Sequence, residues 1–162
     1  MKEHSEVVKA IVYPDMTSLT EQDRALILKS KEVAENAYAP YSRFKVGAVV
    51  LLENGKTVFG SNQENVAYPS GLCAERVALF SAGSNYPGVA VKMVAISAIA
   101  EKFSFEDVIT PCGGCRQVIM ECQLRQETPI RLLLASPTGK VVEIGDARNL
   151  LPFAFDSKGL RN

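Results

Sequence analysis

The segment Thr110-Pro111-Cys112-Gly113-Gly114-Cys115-Arg116-Gln117 is the part of this 162-residue chain that says most about its fold and chemistry. It places two cysteines at C-x-x-C spacing, after a proline and before apolar residues at helical spacing. Proline suits the beginning of a helix, so we predict a helix from Cys112 to about Leu124. Cys112 and Cys115 then lie three residues apart and share one face of that helix.

A third cysteine lies upstream in the segment Cys73-Ala74-Glu75-Arg76, where we predict a second helix from Cys73 to Ala82. The partial positive charge of a helix N-terminus lowers the pKa of a thiol and favours the thiolate that zinc requires. Three protein ligands would leave one tetrahedral position for water, which is typical of a catalytic zinc site. We therefore predict that Cys73, Cys112 and Cys115 bind one zinc ion if the two segments meet in the fold.

The fourth cysteine, Cys122, follows Cys115 by about two turns of the predicted helix. At 1.5 Å of rise per residue it lies roughly 10 Å along the axis, too far to complete the same tetrahedron. We interpret Cys122 as a thiol of the core or the surface, outside the metal site.

Composition and charge exclude several classes of protein. Lys+Arg and Asp+Glu are both 18, so no basic field indicates a nucleic-acid partner or a membrane surface. The apolar runs are shorter than the ~20 residues of a membrane helix, and the polar N-terminus is not typical of a signal peptide. We expect a cytoplasmic protein whose cysteines are thiols or metal ligands rather than disulfides. The one histidine, His4, lies near the chain end, and we assign it no role.

The remaining pattern predicts one α/β domain, residues 19–162, preceded by an irregular arm, residues 1–18. Residues 44–52 are apolar throughout, as in a strand buried on both faces, and an Asn-Gly turn follows them. We expect three layers, with helices on both faces of one mixed sheet of about five strands. Helices are predicted near residues 20–38, 73–82, 112–124 and 146–150, and strands near 44–52, 57–62, 89–100, 130–135 and 141–144.

Glu75 supports two interpretations. It lies in the first turn of a predicted helix, where the helix dipole favours any carboxylate. It also lies two residues from Cys73, where it could carry protons for a water molecule on the metal. The C-A-E sequence with P-C-x-x-C about forty residues later matches the established zinc-deaminase signature, with cysteine in place of its histidine.

These motifs make the chain resemble the small homotetrameric cytidine deaminases of nucleoside salvage, the type with three cysteine ligands. The resemblance runs from about Leu19 to Phe155 and implies the three-layer fold of that family. Many other zinc deaminases of bases or nucleotides carry histidine where Cys73 stands, which favours the free-nucleoside branch. The resemblance is strongest in residues 41–48 (YSRFKVGA), 60–65 (GSNQEN), 68–76 (YPSGLCAER), 111–117 (PCGGCRQ) and 150–152 (LLP).

The resemblance implies hydrolysis of cytidine and deoxycytidine to uridine and deoxyuridine plus ammonia, with one Zn²⁺ per chain. Glu75 would move protons between water, N3 of the base and the departing amino group. Arg76 would donate hydrogen bonds to the ligand thiolates and offset their charge. Without the resemblance, Arg76 would be interpreted as half of a surface salt bridge.

The resemblance also implies how a nucleoside is held. Asn62 and Glu64 alternate after a strand, so they share a face and would bind the ribose hydroxyls. Without the resemblance, Asn62 and Glu64 would be interpreted as part of a polar loop. Phe44 would be interpreted as a core residue, and Phe155 as ordinary packing of the tail. The further roles it implies are packing on the base by Phe44, a backbone N–H to the pyrimidine O2 from Ala74, and insertion of Phe155 into a neighbouring subunit's site.

The chain departs from the family pattern at several positions. Gly114 stands where alanine is common, and Ala67 stands where many members carry another cysteine; neither change removes a catalytic group. Phe153 and Ala154 vary the tail, and residues 1–18 have no clear counterpart.

Three other functions are compatible with parts of the sequence. A blasticidin-S deaminase shares the ligand set, fold and chemistry, although Asn62-Gln63-Glu64 and the tail favour cytidine. A non-catalytic protein stabilised by zinc would not need Glu75 as a proton carrier. A thioredoxin-like redox protein could use Cys112 and Cys115, but the chain lacks the βαβ pattern expected at its N-terminus.

Overall fold

The structure, a computed structural model, describes residues 1–126 and 128–156. These residues form three α-helices and six β-strands, with short 3₁₀ turns at Met16–Ser18, Tyr68–Ser70 and Ala147–Leu150. The helices are α1 (Glu21–Ala34), α2 (Ala74–Asn85) and α3 (Gly113–Leu124). The strands are β1 (Ile11–Tyr13), β2 (Phe44–Leu52), β3 (Thr57–Ser61), β4 (Val91–Ala100), β5 (Arg131–Ala135) and β6 (Val141–Ile144).

The strands form one mixed sheet in the order β1-β6-β5-β4-β2-β3. Only the β4–β5 pair is parallel; the other pairs are antiparallel. One core cluster joins α1 to one face of the sheet, and another joins α2 and α3 to the opposite face. The predicted three-layer α/β fold is therefore confirmed, with six strands rather than about five.

The sixth strand comes from the N-terminal arm, which we expected to be irregular. That expectation was wrong for Ile11–Tyr13, which pair with β6 as an edge strand. The signal was present, because β-branched and aromatic residues favour strands. Tyr13 also donates a hydrogen bond of 2.9 Å to Glu143 of β6, which ties the arm to the sheet.

Two helix boundaries differ from the prediction. Helix α1 ends at Ala34 rather than near residue 38, because the chain turns there and Tyr38 donates its N–H to the carbonyl of Asn62. Helix α2 does not stop at Gly83 but continues to Asn85. A single glycine costs a helix only about 1 kcal/mol, which the packing of α2 offsets.

Two glycines allow helices to approach the sheet closely. A Cβ on Gly47 of β2 would collide with the backbone of α1 and stand 2.5 Å from the nitrogen of Ala34. A Cβ on Gly60 of β3 would stand 2.5 Å from the nitrogen of Ala78 in α2. Each helix backbone therefore lies directly on a strand backbone, and only glycine fits between them.

The topology also explains where the cysteines lie. Strands β3 and β4 both run antiparallel to β2, so they point in the same direction. Helix α2 follows β3 and helix α3 follows β4 along the chain, and both helices pack on the same face. The N-termini of both helices therefore lie at the carboxyl ends of β3 and β4, which brings Cys73 close to Cys112. Among the described residues, no helix is long and apolar enough to cross a membrane.

Candidate metal centre and adjoining cavity

The three predicted ligands, Cys73, Cys112 and Cys115, converge where α2 and α3 begin. The Sγ atom of Cys73 lies 4.0 Å from that of Cys112, which lies 3.6 Å from that of Cys115. All three sulfurs lie within 4.8 Å of one another. Zn–S bonds of about 2.3 Å in a tetrahedron place sulfurs roughly 3.8 Å apart, so this donor set fits zinc.

Helix termini position these thiols. Cys73 and Cys112 are the N-cap residues of α2 and α3, and Cys115 lies in the first turns of α3. Neither sulfur accepts a capping hydrogen bond from the backbone N–H groups of its own helix, so both are available to a metal ion. The helix dipoles favour negative charge at this point.

The thiols and Arg76 form one electrostatic group. The pKa of Cys73 falls to about 5, first because the Cys115 thiol donates to it, with a further contribution from Arg76. The same pairing with Cys73, together with burial, raises the pKa of Cys115. Nη2 of Arg76 lies 3.7 Å from Sγ of Cys73. Nε of Arg76 is the one buried side-chain nitrogen or oxygen in the described part of the chain that has no hydrogen-bond partner.

The Glu75 carboxyl group is buried beside these thiols, with only 5% of the residue exposed. Burial raises its pKa, and the Cys73 thiolate raises it further, whereas Arg76 opposes the shift. A buried carboxyl group whose pKa is raised in this way is suited to accept and release protons, as general acid–base chemistry requires.

A cavity of about 530 Å³ opens beside Cys73 and Arg76. This volume is within the range of small-ligand sites. Two of the predicted substrate-binding residues, Asn62 and Glu64, belong to its wall. The residues that line it are Tyr41, Ser42, Asn62, Gln63, Glu64, Asn65, Tyr68, Gly71, Leu72, Cys73 and Arg76.

Glu64 is held firmly in this wall. One of its carboxylate oxygens accepts hydrogen bonds from the backbone N–H groups of Tyr41, at 2.9 Å, and Ser42, at 3.2 Å. Burial alone would raise the pKa of Glu64, but these N–H groups and the Ser42 hydroxyl lower it instead. The carboxylate therefore stays ionised, and both bonds are made by the same oxygen, Oε2.

The Asn62 side chain is hydrogen-bonded to the backbone of β2. Its Oδ1 accepts from the backbone of Val46 at 2.7 Å, and its Nδ2 donates to the carbonyl of Phe44 at 3.0 Å. The side chain thus continues the β2–β3 ladder and supports the beginning of β2. An amide nitrogen carries two hydrogens, and the described hydrogen bonds use one of them.

The structure separates Phe44 from the wall of this cavity. Its ring stacks on Phe103 with centroids 5.8 Å apart and an angle of 8° between the planes. Phe105 completes the cluster at 5.9 Å from Phe44. Ala74 is the first residue of α2, where helical N–H groups have no acceptor within the helix.

Phe155 is anchored in its own chain and exposed at its side chain. Gln117 of α3 donates to the Phe155 carbonyl at 2.8 Å and accepts from the Phe155 N–H at 3.0 Å. The residue is nevertheless 73% exposed. Cys122, as predicted, lies outside the three-thiol group; burial raises its pKa, and Arg125 lies 3.3 Å from its sulfur.

Sequence reasoning missed several residues around the site. Tyr41 and Tyr68 line the cavity, and Phe103 with Phe105 covers Phe44, although no role was assigned to any of them. Tyr41 and Tyr68 belong to the segments that carry the family resemblance, which could have identified them. The Phe-x-Phe pattern at 103–105 falls in a loop, where aromatic residues carry no periodic signal.

The fold and site together define a three-layer α/β protein with a candidate metal site, in which three cysteine sulfurs lie beside a buried carboxyl group. A family model described as the cytidine and deoxycytidylate deaminase zinc-binding region matches residues 20–128. Because this match covers more than half of the chain, the chain belongs to the cytidine and deoxycytidylate deaminase family.

Individual relatives agree with this membership. The chain is 37% identical over 142 residues to a cytidine deaminase of Halalkalibacterium halodurans, covering 86% of this chain and 99% of the relative. It is 42% identical over 135 residues to a cytidine deaminase of Sporosarcina psychrophila, covering 83% and 92%. The crystal structure of a Burkholderia pseudomallei cytidine deaminase superposes with a TM-score of 0.71 at 39% identity, covering 85% of this chain and all of that one.

Proposed function

We propose that this protein hydrolyses cytidine and deoxycytidine to uridine and deoxyuridine, with release of ammonia. The observation that carries the proposal is the buried Glu75 carboxyl group beside three convergent thiols, next to a cavity of nucleoside-binding size. The relatives from H. halodurans and S. psychrophila, which match along most of their length, are cytidine deaminases.

One zinc ion per chain belongs to this proposal, held by Cys73, Cys112 and Cys115. Zinc held there would supply the Lewis acidity that makes a water molecule nucleophilic near neutral pH. Glu75 accepts a proton from the attacking water and delivers it to N3 of the base. Glu75 then takes the proton of the hydroxyl group added to C4 and passes it to the exocyclic nitrogen. The C4–N bond breaks, ammonia leaves and C4 keeps the oxygen as a carbonyl.

Other residues orient the nucleoside. The ionised Glu64 accepts from a ribose hydroxyl, and the remaining amide hydrogen of Asn62 donates to one. The N–H of Ala74 donates to the pyrimidine O2. Phe44 packs near the base after the Phe103 ring has moved off it. The Arg76 cation stays paired with the ligand thiolates and offsets their negative charge.

The charges of the cavity favour a nucleoside over a nucleotide. Arg76 is the only cationic residue in the described wall, and it is already paired with Cys73. Glu64 adds a negative charge on the same wall, which opposes a phosphate group. Deoxycytidylate should therefore be a poor substrate.

A homotetramer with shared active sites also belongs to the proposal. Phe155 presents its ring outwards from a fixed backbone, as expected for a residue that enters a neighbour's site. The exposed hydrophobic side chains that support association include Val66, Tyr68, Phe80, Phe153 and Phe155. We place the protein in the cytoplasm, because cysteines that serve as metal ligands rather than as disulfides are typical of a reducing compartment.

The test is to incubate the purified protein with cytidine and follow the loss of absorbance that accompanies uridine formation, with metal analysis of the same sample. Deoxycytidine, deoxycytidylate and blasticidin S are measured in parallel. Turnover of the two nucleosides with about one zinc per chain supports the proposal. Exclusive turnover of deoxycytidylate or blasticidin S would refute the substrate assignment, and no turnover of any of them would refute the enzyme.

A further inference from the structure

Two consecutive residues of the metal-binding helix hold both ends of the C-terminal tail segment Leu150–Phe155. Arg116, next to Cys115, donates to the carbonyl of Leu150 at 3.2 Å. Gln117 follows and binds both backbone polar groups of Phe155. The tail is therefore attached to the helix that supplies two of the three thiols.

Arg116 also holds the loop before that helix. Its Nε donates to the carbonyl of Pro111 at 2.8 Å, and its Nη2 donates to the hydroxyl of Thr110 at 3.0 Å. Because it serves the metal-binding turn and the tail together, substituting Arg116 would disturb both. Both described side-chain hydrogen bonds of Gln117 are made with Phe155, so a substitution at Gln117 disturbs the tail without disturbing the loop.

The geometry at Gln117 is that of a short β-bridge made by a side chain. An amide that satisfies both the N–H and the C=O of one residue fixes the position of that backbone unit and the direction of its side chain. The Phe155 ring, 73% exposed, is thereby held in solvent rather than folded against its own chain. An apolar ring held outwards in this way is suited to a partner surface.

We propose that Gln117 is a positioning residue of the shared active site: it sets the place at which Phe155 enters the cavity of an associated copy of this chain. The inference rests on the proposed function and goes beyond it by assigning a residue that touches neither metal nor substrate. Gln117 acts on substrate affinity, because it determines how often the ring is in place, and not on the proton transfers of Glu75.

The segment just after α3 offers a matched control. Gln126 binds the backbone of Val91 with the same pair of bonds, 2.9 Å from the Val91 N–H and 2.7 Å to its C=O. Val91 lies at the far end of β4, away from the thiols. Gln126→Ala therefore removes a similar backbone clamp, together with the bonds from Gln126 to Thr128, without altering the tail.

The experiment compares Gln117→Ala, Phe155→Ala, the double variant and Gln126→Ala as zinc-loaded proteins. We expect Gln117→Ala to raise KM for cytidine about tenfold with kcat and zinc content unchanged, since two hydrogen bonds of ordinary net strength correspond to that factor. Adding Gln117→Ala to Phe155→Ala should change KM no further. Gln126→Ala should lower thermal stability and leave KM within twofold.

A readout independent of activity is cleavage by chymotrypsin after Phe155, which should be faster in Gln117→Ala than in the wild type. If Gln117→Ala does not fold, Gln117→Glu serves instead, because it keeps the shape but loses the donor to the Phe155 carbonyl. An unchanged KM in the Gln117 variant alongside a raised KM in Phe155→Ala would overturn this inference alone. If Gln117→Ala and Gln126→Ala changed KM equally, Gln117 would have only a structural role, and the inference would be overturned. Failure of the wild type to deaminate cytidine would overturn the proposed function itself.

Discussion

The guanidinium group of Arg76 lies 3.7 Å from the sulfur of Cys73, so a cation contacts a thiolate of the candidate metal site. The pair lies within a single helical turn, since Arg76 follows Cys73 by three residues. In the proposed zinc site, three thiolates would otherwise give the metal excess negative charge and weaken it as a Lewis acid. The contact with Arg76 withdraws part of that charge.

Replacing Arg76 should therefore reduce turnover more than zinc binding. We expect Arg76→Ala to lower kcat about 10–100-fold, the usual effect of removing a group that supports a metal ligand. Arg76→Lys keeps the charge but not the planar fork and should recover only part of the loss. Steady-state kinetics with zinc analysis provide the measurement. An unchanged kcat in Arg76→Ala would show that the thiolate charge does not limit the reaction.

The ligand assignment predicts opposite results for two cysteines of one helix. Cys112→Ala removes one of three sulfurs that lie within 4.8 Å, so tight zinc binding should be lost. Cys122→Ala removes a buried thiol outside that group and should leave zinc content unchanged. Metal analysis after dialysis against a chelator distinguishes them. Retention of full zinc in Cys112→Ala would contradict the assigned ligand set.

Glu75→Gln preserves the shape of the buried side chain but cannot cycle a proton. We expect zinc and nucleoside to bind normally while turnover falls by about 10²–10⁴, as is typical of lost acid–base catalysis. Turnover and calorimetric binding of cytidine are measured on the same preparation. Near-normal turnover would show that another group moves the protons.

The close contact at Gly47 predicts a large loss of stability from one methyl group. A Cβ there would stand 2.5 Å from the backbone nitrogen of Ala34, so Gly47→Ala forces α1 away from the sheet. We expect a cost of about 1–3 kcal/mol, the usual range for overpacking. Gly83→Ala is the control, because nothing lies within 4 Å of its Cβ position and alanine favours the helix. Denaturant unfolding of both variants measures the difference; equal stability would show that α1 adjusts without strain.

Asp146 should make the fold sensitive to acid. Its pKa is lowered from 3.8 to about 2, first by hydrogen bonds from Arg148 and then by Gln123. Because the pKa is lower in the folded state, ionised Asp146 stabilises the protein above pH ~4, and this stabilisation is lost as the pH falls towards 2. Asp146→Asn should therefore unfold at lower temperature than wild type at pH 7. The two melting temperatures should converge near pH 2, and a constant difference at all pH values would exclude this linkage.

The sequence by itself determined the local parts of the site. The spacing of Cys112 and Cys115 places them on one helical face, and a cysteine at each helix start follows from the same patterns. Glu75 and Arg76 are tied to Cys73 by proximity along the chain. Long apolar strands and amphipathic helices also specify the three-layer class, because each buried face needs a partner layer.

Tertiary structure decided how distant residues meet. Pairing of Ile11–Tyr13 with β6, the use of the Asn62 amide on β2 and the clamp between Gln117 and Phe155 all join segments far apart in sequence. Such contacts depend on which edge or backbone group is left unpaired after the sheet forms, and no local pattern encodes that. The stacking of Phe103 on Phe44 is decided in the same way, since a loop aromatic packs wherever the folded surface offers an apolar face.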